Sequence, residues 1–260
     1  MLYTSIALSH AGPIATITLT RPDVHNAFDA AMIGELHDAF SVLAADDSVR
    51  VVILAGAGPS FCSGADLHWM RDSLEWTSEQ NLADAEALSA MFEAAWSLPK
   101  PVIGRIHGLA LGGGAGLVAC CDLAVAADTA RFGFSEVKLG LVPAVIAQYV
   151  VPKIGVSQAR ALFVSGERIT AERAFEIGLV HAVTGIDGLD ATVQTLATRM
   201  LSSAPIAAGA AKRLVDAIWS LERDAARRYV VAAIAEARAG AEGAEGVRAF
   251  LEKRKPWWAA

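Results

Sequence analysis

Between Ile106 and Pro143 the chain reads IHGLALGGGAGLVACCDLAVAADTARFGFSEVKLGLVP, and two kinds of residue in it could do chemistry together. Gly112, Gly113 and Gly114 let backbone N–H groups approach a ligand with no Cβ in the way. They run into Leu117-Val118-Ala119-Cys120, which reads as the first turns of a buried helix. Free N–H groups at a helix start carry partial positive charge, which suits an oxygen that becomes an anion during a reaction. Further on, Glu136 sits among Phe132, Gly133, Phe134 and Val137. A carboxyl in such apolar company loses hydration, and its pKa rises toward values useful for proton transfer. The stretch thus offers an oxyanion-stabilising loop and an acid or base on one framework. Plainer accounts stand beside this one: the glycines could only let a helix pack closely on a sheet, and Glu136 could be a surface carboxylate at a strand end.

Such residues need a scaffold, and the flanking pattern supplies one. Ile14 to Leu19 alternates like a strand that Arg21-Pro22 ends. Asp29 can cap a helix running to about Ala45, with Met32, Leu36, Phe40 and Leu43 on one face. The apolar runs Val49 to Ala55 and Pro101 to Ile106 read as buried parallel strands, with a loop at Ala57-Gly58-Pro59 between them. Ser78 opens a helix that ends near Leu98-Pro99; Gly112 to Cys120 is helix again and Leu123 to Ala127 strand. From Val145 on, nearly everything reads helical, over 145–154, 157–164, 171–177, 189–202, 205–236 with a break near Trp219, and 244–253. Strands alternating with helices, then helices alone, predict an α/β core with a helical C-terminal part.

The chain has 260 residues, enough to bury one full core with or without an appendage. It is 54% hydrophobic and only 19% charged, an apolar balance that predicts buried faces between subunits. A net charge of −6 spread along the sequence argues against nucleic acid as a main partner. Cys62, Cys120 and Cys121 form no C-x-x-C, and they read as packing cysteines of a reduced intracellular protein. The segment MLYTSIALSHAGP carries neither a basic leader nor a long apolar run, and Leu109 to Ala127 is interrupted by glycines and Asp122, so neither a signal peptide nor a membrane span is expected. The histidines show no metal-ligand spacing, and Walker A, full G-x-G-x-x-G and G-x-S-x-G motifs are missing, which disfavours nucleotide-binding and α/β-hydrolase readings.

A train of motifs along nearly the whole chain resembles the crotonase superfamily, the enoyl-CoA hydratase/isomerase proteins. Arg21-Pro22 with Asn26-Ala27-Phe28 resembles that family's RP…NAL turn, and Phe61-Cys62-Ser63-Gly64-Ala65-Asp66-Leu67 its F-x-x-G-x-D-[LI] loop. Lys100-Pro101-Val102-Ile103 with His107-Gly108, then Leu111 to Gly114, Cys121-Asp122-Leu123, Phe132-Gly133 with Glu136, and Phe250 to Arg254 follow in the family's order. The resemblance implies a spiral of ββα units (about residues 1–200) with a helical, trimerising C-terminal region (201–260). It implies a cytoplasmic homotrimer or dimer of trimers. The partner is an acyl-CoA thioester, with no nucleic acid and no membrane. No metal or redox cofactor is implied, coenzyme A being part of the substrate.

The resemblance also assigns roles. The N–H groups of Ala65 and Gly113 hold the thioester oxygen as an enolate-like state forms, and Glu136 moves protons and activates water. Ala27, Gly64, Ala65, Asp66, Leu67, His68, Gly112, Gly113, Gly116, Val142 and Pro143 become the substrate-binding set, and basic residues among Arg248, Lys253, Arg254 and Lys255 could approach the CoA of a neighbouring subunit. One position departs from the pattern: hydratases of the family carry a first catalytic glutamate where Gly116 stands. The missing side chain is expected to enlarge the pocket toward a branched or carboxylated acyl group. The run Phe134 to Ile146 resembles a bacterial branch that hydrates 3-methylglutaconyl-CoA and isohexenylglutaconyl-CoA, in leucine or terpene catabolism, where Gly is again expected at that place. Arg71, His68 and Lys138 are candidates for a second substrate carboxylate, and Gln148 and Tyr149 either line the acyl pocket or pack. A Δ3,Δ2-enoyl-CoA isomerase, which can run on one carboxylate, and a non-catalytic acyl-CoA-binding paralogue are the alternatives.

Overall fold

The computed structural model describes residues 3–259; Met1 and Leu2, where the reading of the N-terminal segment begins, and Ala260 lie outside the described residues. A six-stranded sheet is ordered β1 (Ile6–Ala11), β2 (Ile14–Leu19), β3 (Val51–Gly56), β4 (Val102–Ile106), β6 (Leu123–Ala127) and β9 (Ala182–Thr184). A three-stranded sheet is ordered β5 (Leu109–Leu111), β7 (Arg131–Gly133) and β8 (Arg168–Thr170). In the large sheet β1 runs antiparallel to β2 and the other pairs are parallel. All six residues of β3 are buried, as expected of a parallel strand covered on both faces.

The helices are α1 (Ala30–Ala45), α2 (Leu67–Asp72), α3 (Ser78–Trp96), α4 (Gly113–Cys120), α5 (Ala144–Ser165, bent at Gly155), α6 (Ala171–Glu176), α7 (Leu189–Met200), α8 (Pro205–Ser220), α9 (Arg223–Ala239) and α10 (Ala241–Leu251). The chain repeats one move: a large-sheet strand, a short extended piece in a second layer, then a helix. β4, β5 and α4 form one such turn; β6, β7 and α5 form the next. The second layer continues backward through single bridges, Cys62 to Ala110 and Phe28 to Ala65, so the turns that begin with β2 and β3 share the pattern. This is the spiral of ββα units that the motif resemblance implies.

The α1 stripe of Met32, Leu36, Phe40 and Leu43 is fully buried in the main core, and Asp29 caps the helix by accepting from the Met32 N–H. Ser78 opens α3 as expected, and Thr77 before it is the cap, in a reciprocal box with Gln80. The expected break near Trp219 falls at Leu221–Glu222, between α8 and α9. The expectation of helix alone after Val145 needs correction, because β8 and β9 interrupt it. Each is three residues long at a sheet edge, held by pairing with β7 and β6 rather than by a pattern of its own. Arg50 ties the C-terminal helices to the core by donating to the Leu201, Ser203 and Trp258 carbonyls. Among the described residues no helix is long and apolar enough to cross a membrane.

Candidate active site

The loop after β3 is fixed from the N-terminal turn. Buried Asn26 accepts from the Arg21 N–H and donates to the Ala57 and Ser60 carbonyls, each at 2.8 Å. Next to it, Phe28 clamps the loop on both sides of Ala65: its N–H donates to the Gly64 carbonyl at 2.7 Å, and its carbonyl accepts from Asp66 N–H at 2.8 Å. Asp66 caps α2 through the His68 N–H and pairs with Arg21, which holds its carboxyl below the usual range despite burial. The Ala65 N–H is thereby oriented, yet among the described residues it donates to no protein acceptor.

The glycine triplet meets a different neighbour at each position. Gly112 has φ +51° and ψ −122°, a conformation that a side chain would strain, and a Cβ on it would stand 3.1 Å from Glu136 Oε1. A Cβ on Gly113 would stand 2.6 Å from Phe28 Cε2, and one on Gly114 would collide with the Cys62 carbonyl. Gly113 is the first residue of α4, so its N–H has no helical acceptor. The two loops touch: a Cβ on Gly64 would reach 3.0 Å from the Leu111 carbonyl oxygen and 3.9 Å from Gly112 Cα. Two free, preorganised N–H groups, at Ala65 and Gly113, therefore border one cavity of about 510 Å³.

Glu136 enters the same cavity from the 3-10 turn Glu136–Leu139 that follows β7. Its Oε2 is buried and has no hydrogen-bond partner among the described residues. Burial pushes its carboxyl pKa up, and only its own backbone N–H opposes this. A buried oxygen without a partner is unstable by about 1–3 kcal/mol, so it marks a place for a missing ligand or water. The walls around it are mostly apolar: Phe28, Leu67, Met70 and Leu88 on one side, Leu141, Val142, Val145 and Ile146 on the other.

Comparison with known proteins gives the chain a family. Residues 9–260 match the enoyl-CoA hydratase/isomerase family. This chain belongs to it. The family member is 33% identical over 257 residues to the crotonyl-CoA hydratase of Syntrophomonas wolfei, covering 98% of both chains. It is 32% identical over 260 residues to the 1,2-epoxyphenylacetyl-CoA isomerase of Escherichia coli, covering 96% of each. An enoyl-CoA hydratase structure from Shewanella pealeana superposes with a TM-score of 0.95 at 36% identity, covering 98% of this chain and 96% of that one.

Within this enoyl-CoA hydratase/isomerase member, Gly64, Ala65, Leu67, Gly112, Gly113, Glu136, Val142 and Pro143 line the common cavity. Ala27, Asp66 and His68 do not. Ala27 and Asp66 are buried beneath the loop, where the Ala27 carbonyl and the Asp66 carboxylate both accept from Arg21, and the His68 side chain is exposed on α2. Gly116 does not line the cavity either, and the expected enlargement is absent. A Cβ there would lie 2.9 Å from Ile146 Cβ and 3.1 Å from Phe92 Cε1, so Ile146 of α5 fills the space a side chain would need. None of Arg71, His68 and Lys138 lines the cavity; Lys138 lies against Gly166 instead. Tyr149 is buried and stacks on Phe92 and Trp96 while its hydroxyl donates to Glu93, and Gln148 donates to that hydroxyl; both therefore pack. The sequence reading missed Trp69 and Met70 on α2, Ala85 and Leu88 on α3, and Arg168 on β8. Contact across strands and helices brings them together, and the one local sign was the pair of aromatic and thioether side chains just after the Asp66 cap.

Proposed function

We propose that this enzyme adds water reversibly across the double bond of a 2-enoyl-CoA thioester, and that a branched or carboxylated acyl group such as 3-methylglutaconyl is its substrate. The observation that carries the reading is the orphaned, buried Glu136 oxygen in one cavity with two free N–H donors. The thioester oxygen would take hydrogen bonds from Ala65 and Gly113. Ionised Glu136 would accept a proton from water as its oxygen bonds to C3. The electron pair moves through the enolate, whose oxygen the two N–H groups hold; losing one such donor costs about 3 kcal/mol of barrier. Protonated Glu136 then returns the proton to C2, so one carboxyl does both jobs. No metal or redox cofactor enters, and coenzyme A arrives as part of the substrate.

Isomerisation is the second reading, favoured by one observation: among the described residues Glu136 is the only carboxylate lining the cavity, and one carboxylate suffices to move a proton between C4 and C2. Assembly into trimers, or pairs of trimers, is part of the proposal. Ile206, Trp219, Val231, Ile234 and Phe250 of α8, α9 and α10 are each at least half exposed, an apolar surface suited to burial between copies.

A mass-resolved turnover panel tests the reading with crotonyl-CoA, 3-methylcrotonyl-CoA, 3-methylglutaconyl-CoA and a 3-enoyl-CoA, on wild type and Glu136→Gln. Water addition to 3-methylglutaconyl-CoA, lost in the variant, supports hydration. No gain of water mass with any thioester overturns it, and rearrangement of the 3-enoyl-CoA then favours the isomerase.

A further inference from the structure

Arg168 stands at the wall of the cavity without an anion of its own. Among the described residues, it and Glu136 are the only acidic or basic side chains lining the cavity. Arg21, Arg105, Arg173 and Arg254 each pair with a carboxylate, whereas Arg168 takes part in no ion pair among the described residues. Glu136 does not serve as its partner. No ion pair joins them, and burial, not a cation, governs the Glu136 carboxyl. The strand pairing explains the placement. Arg168 lies opposite Gly133 across β7 and β8, and its Cγ stands 3.3 Å from where a Cβ on Gly133 would be. With glycine there, the aliphatic stem can lie flat on the strand that leads to Glu136. Ser135, also in the wall, caps nothing with its hydroxyl.

Arg168 is exposed where it lines this mostly apolar cavity, and a guanidinium so placed favours a planar, bidentate anion. We propose that Arg168 is the specificity-determining residue of this site and receives a carboxylate carried by the acyl group. The assignment rests on the acyl-CoA reading of the cavity given above. It replaces the three cations suggested by sequence, none of which reaches the cavity. A second source of anion is the thioester carrier itself, whose phosphates every acyl-CoA shares, and the two sources separate by experiment.

Calorimetric titration with glutaryl-CoA and butyryl-CoA makes the separation, because these saturated thioesters share the carrier and cannot be hydrated. Wild type is expected to bind glutaryl-CoA about 10-fold more tightly, the equivalent of one charge-assisted hydrogen-bonded contact. Arg168→Leu should abolish that preference while changing butyryl-CoA affinity less than threefold, and Arg168→Lys should keep part of it. The Lys variant also guards against a folding defect in the Leu variant. Equal binding of the two thioesters by wild type overturns the assignment. So does an equal loss for both in Arg168→Leu, which would place a carrier phosphate on Arg168. Binding of neither thioester would sink the acyl-CoA reading as well, and that result is distinct from the other two.

Discussion

Ile146 occupies the space that a side chain on Gly116 would need: a Cβ built on Gly116 falls 2.9 Å from Ile146 Cβ. The glycine is therefore a packing requirement of the α4–α5 contact, and not an opening in the pocket wall. Overpacking a full core in this way typically costs about 1–3 kcal/mol. Gly116→Ala should lower the thermal midpoint by several degrees, and Ile146→Ala in the same chain should recover much of it. Melting curves of the two single variants and the double variant check this. Additive losses, with no coupling beyond about 0.5 kcal/mol, would show that the contact does not decide the residue.

Glu136 should set the pH dependence of activity by itself. Burial raises its pKa above the usual 4.5, and the ionised form is needed to take a proton from water. The rate should fall as pH drops through that raised value, and Glu136→Gln should lose about 10²–10⁴-fold at its optimum. A profile of kcat/KM against pH whose acidic limb survives in the variant would assign the limb to another group.

The same carboxyl makes an opposite prediction for stability. A folded pKa above the unfolded one means that the fold favours the protonated acid. That favourable contribution is complete below pH 4.5 and disappears as pH rises through the folded value, where the ionised group stays buried with one oxygen unpartnered. Glu136→Gln should thus be more stable than wild type at pH 8 and gain nothing at pH 4, as denaturant midpoints at the two pH values would show.

His181 should weaken the fold in mild acid. Burial, with Lys153 nearby, lowers its pKa from 6.5 to about 4, and its Nδ1 accepts from the Ala124 N–H. Below pH 6.5 the unfolded chain takes up a proton that the folded chain refuses until about pH 4, so stability drops across that window and levels off beneath it. His181→Asn keeps an acceptor for Ala124 and should flatten the drop between pH 6.5 and 4. An unchanged slope would place the acid sensitivity elsewhere.

Gly112→Ala should separate turnover from binding. The substitution meets both a positive φ and the Glu136 carboxyl at 3.1 Å, with a backbone strain of about 1–3 kcal/mol. The carboxyl and the neighbouring Gly113 donor should move, so kcat should fall at least about 10-fold while KM changes less. A raised KM with kcat unchanged would indicate loss of substrate binding alone.

The parts of this site carried by short contiguous signals were legible in the sequence. Gly112 to Gly114 and Glu136 each sit in a local pattern whose glycines or apolar neighbours suggest a close approach, whereas the Gly64-Ala65-Asp66 loop was read through its resemblance to a family motif. The α1 stripe and the buried run of β3 were legible for the same reason, since periodicity and continuous burial are local properties. What escaped depended on partners distant in the chain. β5, β7, β8 and β9 are three residues each and exist through their neighbours. Ile146 fills the place beside Gly116 only once α5 packs on α4, and Arg168 reaches the cavity only because β8 folds back on β7 opposite a glycine.

Successive turns of the spiral each deliver one part of the proposed reaction centre: Ala65 follows β3, Gly113 follows β5, and Glu136 follows β7. During synthesis, then, Ala65 and Gly113 are added before Glu136, and α5, which contributes to the cavity wall, comes after all three. The proposed proton carrier is thus the last of the three to be synthesised.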